Sequence, residues 1–152
     1  MNYNINDVNE TMTGLYITSS ASVLPFVISR LNTAKRVSLC VNTAYEHVSK
    51  LSAEINKYCE TIDWPLDDSQ TQEISGGGVL SDLVNTILER LKKGHIVVVF
   101  CHQGRSRSAM LVVACMMRHF NIKASKALEL LRRKRSIANP NANFMRQLEN
   151  FV

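Results

Sequence analysis

A cysteine and an arginine stand six positions apart in the segment CHQGRSR, residues 101–107, and both residue types act on phosphate groups. A cysteine thiolate is a strong nucleophile. The planar guanidinium of Arg107 can bind two phosphate oxygens together, which a lysine cannot do. Ser108 follows directly and can donate a hydrogen bond to the sulfur. The spacing therefore predicts attack of Cys101 on phosphorus, with Arg107 holding the phosphate and Ser108 assisting.

The place of this segment in the chain strengthens the prediction. It lies between five consecutive apolar residues, 96–100, and a strongly helical run that starts at Ser108. When a loop enters a helix, its backbone N–H groups converge on one point, where the helix dipole adds positive potential. Gly104 permits the tight turn. We therefore expect Cys101 to be held as a thiolate, and the phosphate to be bound by His102, Gln103, Gly104, Arg105, Ser106 and Arg107.

A thiolate that attacks phosphorus needs an acid to protonate the leaving oxygen. Two adjacent carboxylates, Asp67 and Asp68, follow a predicted strand in WPLDDS, residues 64–69. The polar chain beyond them leads into three glycines, residues 76–78, which would let such a loop open and close. This segment is the candidate source of the acid, and a plain surface linker is the alternative.

The elements around these residues alternate between strand and helix patterns. Strands are predicted at residues 15–17, 36–41, 57–62 and 96–100. Helices are predicted at residues 20–31, 44–49, 80–93, 108–120, 124–135 and 143–152. The unbroken apolar strand indicates burial on both faces of a sheet. We predict a three-layer α/β fold, with helices flanking a central sheet, and a single domain over residues 1–152.

These residues resemble the dual-specificity group of the cysteine-dependent protein tyrosine phosphatases, from about residue 14 to the end of the chain. Gly104, Arg107 and Ser108 fit the phosphate loop of that group. A second block near the carboxyl end carries the resemblance independently, at residues 127–131, Arg133, residues 139–141, Phe144 and residues 147–148. The resemblance implies a protein tyrosine phosphatase-like fold.

The resemblance also implies roles for individual residues. Cys101 would be the nucleophile that forms a phosphocysteine, Arg107 the phosphate clamp, and Ser108 an aid to breakdown of the intermediate. The general acid would be Asp67 or Asp68, and Asp68 is preferred because the group places its acid before a small polar residue. The implied substrates are phosphotyrosine and phosphoserine or phosphothreonine in proteins, and no metal or organic cofactor is implied.

Two residues depart from the pattern of the group. Phe100 stands where most members carry histidine directly before the cysteine. This departure indicates a slower or differently tuned enzyme, or a phosphate-binding module with negligible turnover. Arg105 replaces a residue that is usually apolar, and it either favours substrates with several phosphates, as in phosphoinositide or RNA 5′-phosphatases, or simply faces solvent. A rhodanese-like sulfur transferase also uses a cysteine loop, but residues 139–141 do not suit it.

The net charge of +5 favours anionic partners such as a phosphorylated protein. The densest basic run, residues 132–135, lies at the end of a predicted helix, where cations complement the helix dipole. Nuclear targeting or RNA contact is the alternative interpretation of this run, and nucleic acid is not favoured as a partner.

The three cysteines outside the loop, Cys40, Cys59 and Cys115, lie among apolar residues and are expected to be small buried side chains. No CxxC pair or cluster of histidine and cysteine predicts a zinc site. The first residues lack the basic and apolar stretches of a signal peptide, and no apolar run is long enough to span a bilayer. We therefore expect a cytoplasmic protein, with the nucleus as the alternative.

Overall fold

The computed structural model describes residues 4–152, which form a five-stranded sheet with helices on both faces. The strands are β1 (Val8–Met12), β2 (Leu15–Ser19), β3 (Val37–Ala44), β4 (Glu60–Leu66) and β5 (Ile96–Cys101). They lie side by side in the order β1-β2-β5-β3-β4. Strand β1 is antiparallel to β2, and the other pairs are parallel. Strand β5 is therefore central, and its carboxyl end opens directly into the 101–107 loop.

Six α-helices connect and cover these strands. They are α1 (Ser20–Ser29), α2 (Leu51–Ile55), α3 (Val79–Lys92), α4 (Arg107–Phe120), α5 (Ala124–Lys134) and α6 (Ala142–Leu148). Helices α1 and α2 pack in one apolar cluster on one face of the sheet, and α3 to α6 contribute to a larger cluster on the other. This arrangement confirms the predicted three-layer α/β architecture.

Alternate side chains of β5 enter the two clusters. Val97 and Val99 pack beneath α3 and α4, whereas Ile96, Val98 and Phe100 pack on the side of α1 and α2. All five are buried, as the apolar run predicts. Burial on both faces fixes the position and direction of β5, and hence of the cysteine that ends it.

Strand β1 and helix α2 were not predicted from the sequence. Strand β1 is mostly polar (VNETM) and lies at the sheet edge, so it carries little of the alternation that marks a strand. The short helical stretch predicted at residues 44–49 is confirmed only in its middle. Ala44 still belongs to β3, a one-turn 3-10 helix covers Tyr45–His47, and the helix of this region is α2, which begins at Leu51.

Strand β4 lies further along the chain than the predicted 57–62. It runs from Glu60 to Leu66 and includes Pro65, which an edge strand tolerates because one side of its backbone needs no partner. Helices α1 and α6 end at Ser29 and Leu148, earlier than predicted. Among residues 4–152, no helix combines the length and apolar character that crossing a bilayer would require.

The cysteines outside the loop lie within or beside the core. Cys40 and Cys115 are fully buried, as predicted, and burial raises the pKa of Cys115 to about 12. Cys59 is half-buried, with its sulfur 3.7 Å from that of Cys40. All four cysteines are free of disulfide bonds.

Candidate active site

The 101–107 loop encloses a small cavity of about 220 Å³ at the carboxyl end of β5. The cavity is lined by Asp68, Cys101, His102, Gln103, Arg105, Ser106 and Arg107. The structure thus brings the predicted nucleophile, arginine and acid to one place, although Asp68 lies 33 positions before the cysteine in the sequence. A tetrahedral anion of the size of phosphate fits a cavity of this volume.

Cys101 ends β5, and its side chain is almost completely buried, at 2% exposure. Its sulfur lies 3.1 Å from the hydroxyl oxygen of Ser108, which is itself fully buried in the first turn of α4. A serine hydroxyl at this distance can donate a hydrogen bond to a thiolate. Ser108 therefore lies within hydrogen-bonding distance of the sulfur of Cys101, as its position in the sequence predicts.

Gly104 turns the loop with a positive φ of 65°. A Cβ atom at this position would lie 2.5 Å from the carbonyl oxygen of Thr18 and 2.7 Å from Nη2 of Arg135. Both separations are far below van der Waals contact, so the loop passes too close to β2 and to Arg135 for any side chain. The glycine serves close approach as well as the turn.

The Arg107 side chain is held from two directions. Its Nη1 donates to the carbonyl oxygen of Leu66 at 3.0 Å and to Oε2 of Glu46 at 3.1 Å. Its Nη2 lies 2.6 Å from Oε1 of Glu46, so the ion pair is bidentate. Glu46 was not predicted from the sequence, because a carboxylate that approaches the arginine from the end of another strand leaves no local pattern.

Burial and charge act against each other in this ion pair. Burial alone would lower the pKa of Arg107, but the hydrogen bond to Glu46 and the charges of Cys101, Glu46 and Asp68 raise it. Burial would also raise the pKa of Glu46, whereas the hydrogen bond and charge of Arg107 lower it below its ordinary value. Both groups are therefore charged at neutral pH, and the guanidinium is kept in one orientation.

Asp68 reaches the loop, and Asp67 does not line the cavity. Oδ1 of Asp68 accepts hydrogen bonds from the Ser106 hydroxyl at 2.6 Å and from Nδ2 of Asn141 at 2.8 Å. Asp67 is exposed, and its backbone N–H donates to Oε1 of Gln72 at 2.8 Å. The geometry thus separates the two carboxylates that the sequence left as alternatives for the acid.

The segment after Asp68 is held against α6 by hydrogen bonds. Nδ2 of Asn143 donates to the carbonyl oxygens of Ser69 at 3.1 Å and Gln72 at 2.8 Å, and Nε2 of Gln147 donates to Gln72 at 2.9 Å. Ile74 is buried in the core. The three glycines do not extend this loop but form a 3-10 turn, Gly76–Gly78, at the start of α3. Opening and closing of the loop stays a prediction.

Arg135 directly follows the last turn of α5, at the predicted helix end, and its side chain is buried against the loop. It is 3% exposed, and its Nε and Nη2 donate to the carbonyl oxygens of Gly104 at 2.7 Å and Gln103 at 3.1 Å. Nη2 also lies 2.8 Å from Oδ1 of Asp7, and Nη1 donates to Asn9. Loop carbonyls and an aspartate, rather than solvent, surround this guanidinium.

Asp7 is in turn held by several donors. Its Oδ2 accepts hydrogen bonds from the hydroxyl groups of Ser19 and Ser22. Burial raises the pKa of Asp7, but the hydrogen bonds from Ser19, Arg135 and Ser22 and the charge of Arg135 outweigh it and lower the pKa below its ordinary value. A chain of contacts therefore links the first strand, α1, the end of α5 and the phosphate loop.

The chain matches one known protein family over most of its length. The family model for the dual-specificity phosphatase catalytic domain matches residues 15–152, nearly the whole chain. The chain belongs to the dual-specificity phosphatase family. Its resemblance to that group is confirmed, and the phosphatase has the loop, the flanking strand and the closing helices within the matched region.

Relatives of this phosphatase include viral and animal proteins. Protein 123R of Invertebrate iridescent virus 6 is 32% identical over 111 residues, which span 72% of this chain and 77% of that protein. Dual specificity protein phosphatase MPK-4 of Drosophila melanogaster is 31% identical over 150 residues. That match covers 95% of this chain but 36% of the fly protein, so this chain spans about a third of that relative.

Solved structures share the fold of the phosphatase. Human tyrosine phosphatase-like serine/threonine/tyrosine-interacting protein gives a TM-score of 0.81 at 21% identity, covering 95% of this chain and 94% of that one. PTPMT1 in complex with PI(5)P gives a TM-score of 0.80 at 21% identity, with the same coverage. The predicted protein tyrosine phosphatase-like fold is confirmed.

Phe100, the departure from the family pattern, does not face the cavity of the phosphatase. Its side chain is fully buried in the cluster that contains Phe26 and Ile55, and its carbonyl oxygen accepts a hydrogen bond from the Thr43 hydroxyl at 2.9 Å. The side chain at position 100 therefore offers the loop no polar group.

Two histidines meet at the rim of the phosphatase cavity. Nε2 of His47 lies 3.0 Å from Nδ1 of His102, and the carbonyl oxygen of His102 accepts a hydrogen bond from the backbone N–H of Ser20 at 3.1 Å. Burial lowers the pKa of His47, the charge of Glu46 raises it, and the charges of His102 and Arg107 lower it, so that the pKa lies below its ordinary value. The pair was not predicted from the sequence.

Proposed function

We propose that this phosphatase hydrolyses phosphotyrosine and phosphoserine or phosphothreonine in proteins through a phosphocysteine intermediate on Cys101. The observation that carries the proposal is the shared cavity of Cys101, Arg107 and Asp68, in which a nucleophile, a phosphate clamp and an acid lie together. Membership of the dual-specificity family supports both classes of substrate. We further propose that residues 1–152 act as one catalytic domain.

In the first step, the thiolate of Cys101 attacks phosphorus in line with the leaving oxygen. The P–O bond breaks as the P–S bond forms, and protonated Asp68 gives its proton to the departing alcohol or phenol. Arg107 binds two of the equatorial phosphate oxygens, where negative charge is concentrated. The bidentate contact with Glu46 supports this role, since it fixes the plane of the guanidinium before substrate arrives.

In the second step, Asp68 acts as a base. It takes a proton from a water molecule that attacks phosphorus, and the P–S bond breaks to release inorganic phosphate and the thiolate. Ser108 eases this step by donating a hydrogen bond to the leaving sulfur, for which its 3.1 Å contact is suited. The loop residues His102, Gln103, Gly104, Arg105 and Ser106 bind the phosphate oxygens through their backbone N–H groups and adjacent side chains.

The test is kinetic and uses an aryl phosphate together with phosphotyrosine and phosphothreonine peptides. We expect the wild-type protein to turn over all three, with no loss of activity in a chelator. Cys101→Ser should be inactive, whereas Cys115→Ser, which replaces a buried thiol far from the loop, serves as a matched control that keeps activity. Turnover by Cys101→Ser at the wild-type rate would reject the assignment of the nucleophile. A wild-type protein that binds phosphate without turnover would instead be a phosphate-binding module, the alternative that Phe100 raises.

A second candidate substrate class is favoured by one observation. Arg105 is exposed and lines the cavity, so it adds a cation beside the bound phosphate. Phosphoinositides and RNA 5′-triphosphate ends carry further phosphates that such a cation would attract. These substrates belong in the same assay with Arg105→Gln. If they are preferred over phosphopeptides by the wild-type protein and lose that preference in Arg105→Gln, the enzyme acts on them rather than on proteins.

A further inference from the structure

Two histidines and a glutamate meet at the rim of the cavity, and the proposed hydrolysis does not use them together. Glu46 and His47 lie in the 3-10 turn that follows β3, and His102 lies in the loop that follows β5. Strands β3 and β5 are neighbouring and parallel. Their carboxyl ends therefore place the three side chains at the same edge of the sheet, where ligands of open α/β sheets bind.

The donor atoms of these side chains are close enough to share one ion. A carboxylate oxygen of Glu46 and one ring nitrogen of each histidine lie within 4.8 Å of one another. In a tetrahedral zinc site, two ligand atoms that each lie about 2.0–2.2 Å from the ion are about 3.3–3.6 Å apart. The donor atoms must therefore shift by up to about 1.5 Å, which side-chain rotation can supply because Glu46 and His102 are exposed and His47 is half-buried.

The two imidazole rings already face each other through their nitrogens. Nε2 of His47 and Nδ1 of His102 are 3.0 Å apart, and the ring planes differ by 14°. Such a contact is a hydrogen bond only when one of the two nitrogens carries a proton and the other accepts it with its lone pair. Without that proton, the two lone pairs face each other. A cation that accepts both lone pairs can take the place of that proton, and the carboxylate of Glu46 then supplies a third ligand.

We propose that Glu46, His47 and His102 bind a divalent transition-metal ion of the zinc type, and that the bound ion slows the phosphatase. Two histidine nitrogens and one carboxylate oxygen are a known donor set for zinc, which keeps a fourth position for water. The set has borderline and hard donors, so zinc, nickel or cobalt are better suited to it than magnesium or calcium.

The second part of the proposal rests on the proposed function. Both carboxylate oxygens of Glu46 now contact Arg107. An ion bound to Glu46 competes with the guanidinium for these oxygens and repels its positive charge. His102 also lines the cavity, so its ring would be fixed by the ion at the entrance for substrate. The expected result is a phosphate clamp that is less well oriented and a lower rate.

Binding is measured first, without reference to activity. Zinc would be titrated into the Cys101→Ser protein by calorimetry and by competition with a chromogenic chelator, so that the reactive thiol is not a ligand. We expect one ion per chain, and a loss of affinity of at least about tenfold in His47→Gln and in His102→Gln. His95→Gln is the matched control, because His95 is exposed and immediately precedes β5, at the opposite end of that strand.

Persistence of the same zinc affinity in the double variant His47→Gln, His102→Gln would overturn the site, and so would the failure of the Cys101→Ser protein to bind zinc. Cobalt gives a second readout. Its visible spectrum in the Cys101→Ser protein should show nitrogen and oxygen ligation and no thiolate charge-transfer band. A strong thiolate band would assign the metal to the remaining cysteines and would also overturn the site.

Inhibition is measured second, on the aryl phosphate. His47→Gln should need at least about tenfold more zinc than the wild-type protein for the same loss of rate, and a chelator should restore activity. His95→Gln should respond like wild type. Equal inhibition of His47→Gln and wild type would reject the inhibitory role, since the ion would then act at Cys101. If the wild-type protein hydrolyses nothing, the proposed function fails, while the binding measurement still decides the metal site.

Discussion

At the scale of single residues, Asp68 is the carboxylate that two donors from other parts of the chain turn toward the cavity. Ser106 and Asn141 both donate to its Oδ1, so Oδ2 is the oxygen that neither of them engages. As the proposed acid, a carboxyl group held in this way would protonate a leaving oxygen without first searching for its position, which is the advantage of a positioned group over a free one in solution.

The role of Asp68 can be tested by the leaving group. In Asp68→Asn, the rate on substrates with poor leaving groups should fall by about 10²–10⁴, because general acid catalysis is lost. An activated aryl phosphate should lose far less, since its phenolate leaves without a proton. Asp67→Asn is the matched control and should behave like wild type on both. Equal losses of rate on both substrates in Asp68→Asn would place the acid elsewhere.

Gly104 offers a steric test of the loop. In Gly104→Ala, the new methyl group meets the carbonyl oxygen of Thr18 and Arg135, and the positive φ adds strain. We expect a loss of about 2 kcal/mol or more in the free energy of unfolding, measured in urea, and weaker phosphate binding.

Gly76→Ala is the control for this change. A Cβ there has no atom within 4 Å, and the backbone does not require a positive φ, so stability should change by less than about 1 kcal/mol. A Gly104→Ala protein as stable as Gly76→Ala would show that the loop can move away from β2, and the close approach would not be essential.

At the scale of elements, the ion pair between Arg135 and Asp7 joins the end of α5 to the segment before β1. The pKa of Asp7 lies below its ordinary value in the folded protein. A carboxyl group with a depressed folded pKa contributes its full stabilisation above its ordinary pKa, and this contribution is lost as the pH falls through the folded pKa. Stability should therefore decrease on the acid side.

Unfolding in urea at several pH values tests this link. At pH 7, Asp7→Asn should lower the free energy of unfolding by about 2–3 kcal/mol, because it leaves the buried guanidinium of Arg135 without its counter-charge. The gap from wild type should narrow as the pH falls below about 4. Asp82→Asn, an exposed change in α3, should give a small gap over the whole range. A gap for Asp7→Asn that does not depend on pH would contradict the ion-pair explanation.

The elements also show why some of the fold was predictable and some was not. Strand β5 and helix α4 bury nearly all of their residues, and their apolar patterns predicted them to within one residue at each end. Strand β1 gains its stability from pairing with β2 at the edge of the sheet. Its own residues are mostly polar, so no local pattern marks it.

The same distinction applies to the candidate site. Cys101, Arg107 and Ser108 lie within one local segment, and their spacing predicted their meeting. Glu46 and Arg135 reach the loop from other elements. Their types, one carboxylate in a turn and one arginine in a basic run, suit many surface positions equally well. Tertiary contact alone distinguishes them.

At the scale of the whole molecule, the net charge of +5 should act on the rate at which phosphorylated substrates arrive. When ionic strength rises from about 0.01 to 0.1 M, the screening length falls from about 30 to 10 Å. For a peptide with two phosphates, kcat/KM should fall several-fold over this range, while kcat stays constant. The singly phosphorylated peptide of the same sequence is the control and should lose less. An equal fall in kcat for both peptides would indicate a salt effect on the enzyme itself rather than on encounter.

The ion pair between Asp7 and Arg135 also has a consequence for folding during synthesis of the chain. The two residues are 128 positions apart, and Arg135 is the side chain that fastens the backbone of Gln103 and Gly104. During synthesis, the early strands can emerge from the ribosome long before this arginine does. The loop can therefore acquire its final shape only after α5 has been synthesised, and nascent chains that stop short of α5 should fail to retain phosphate analogues.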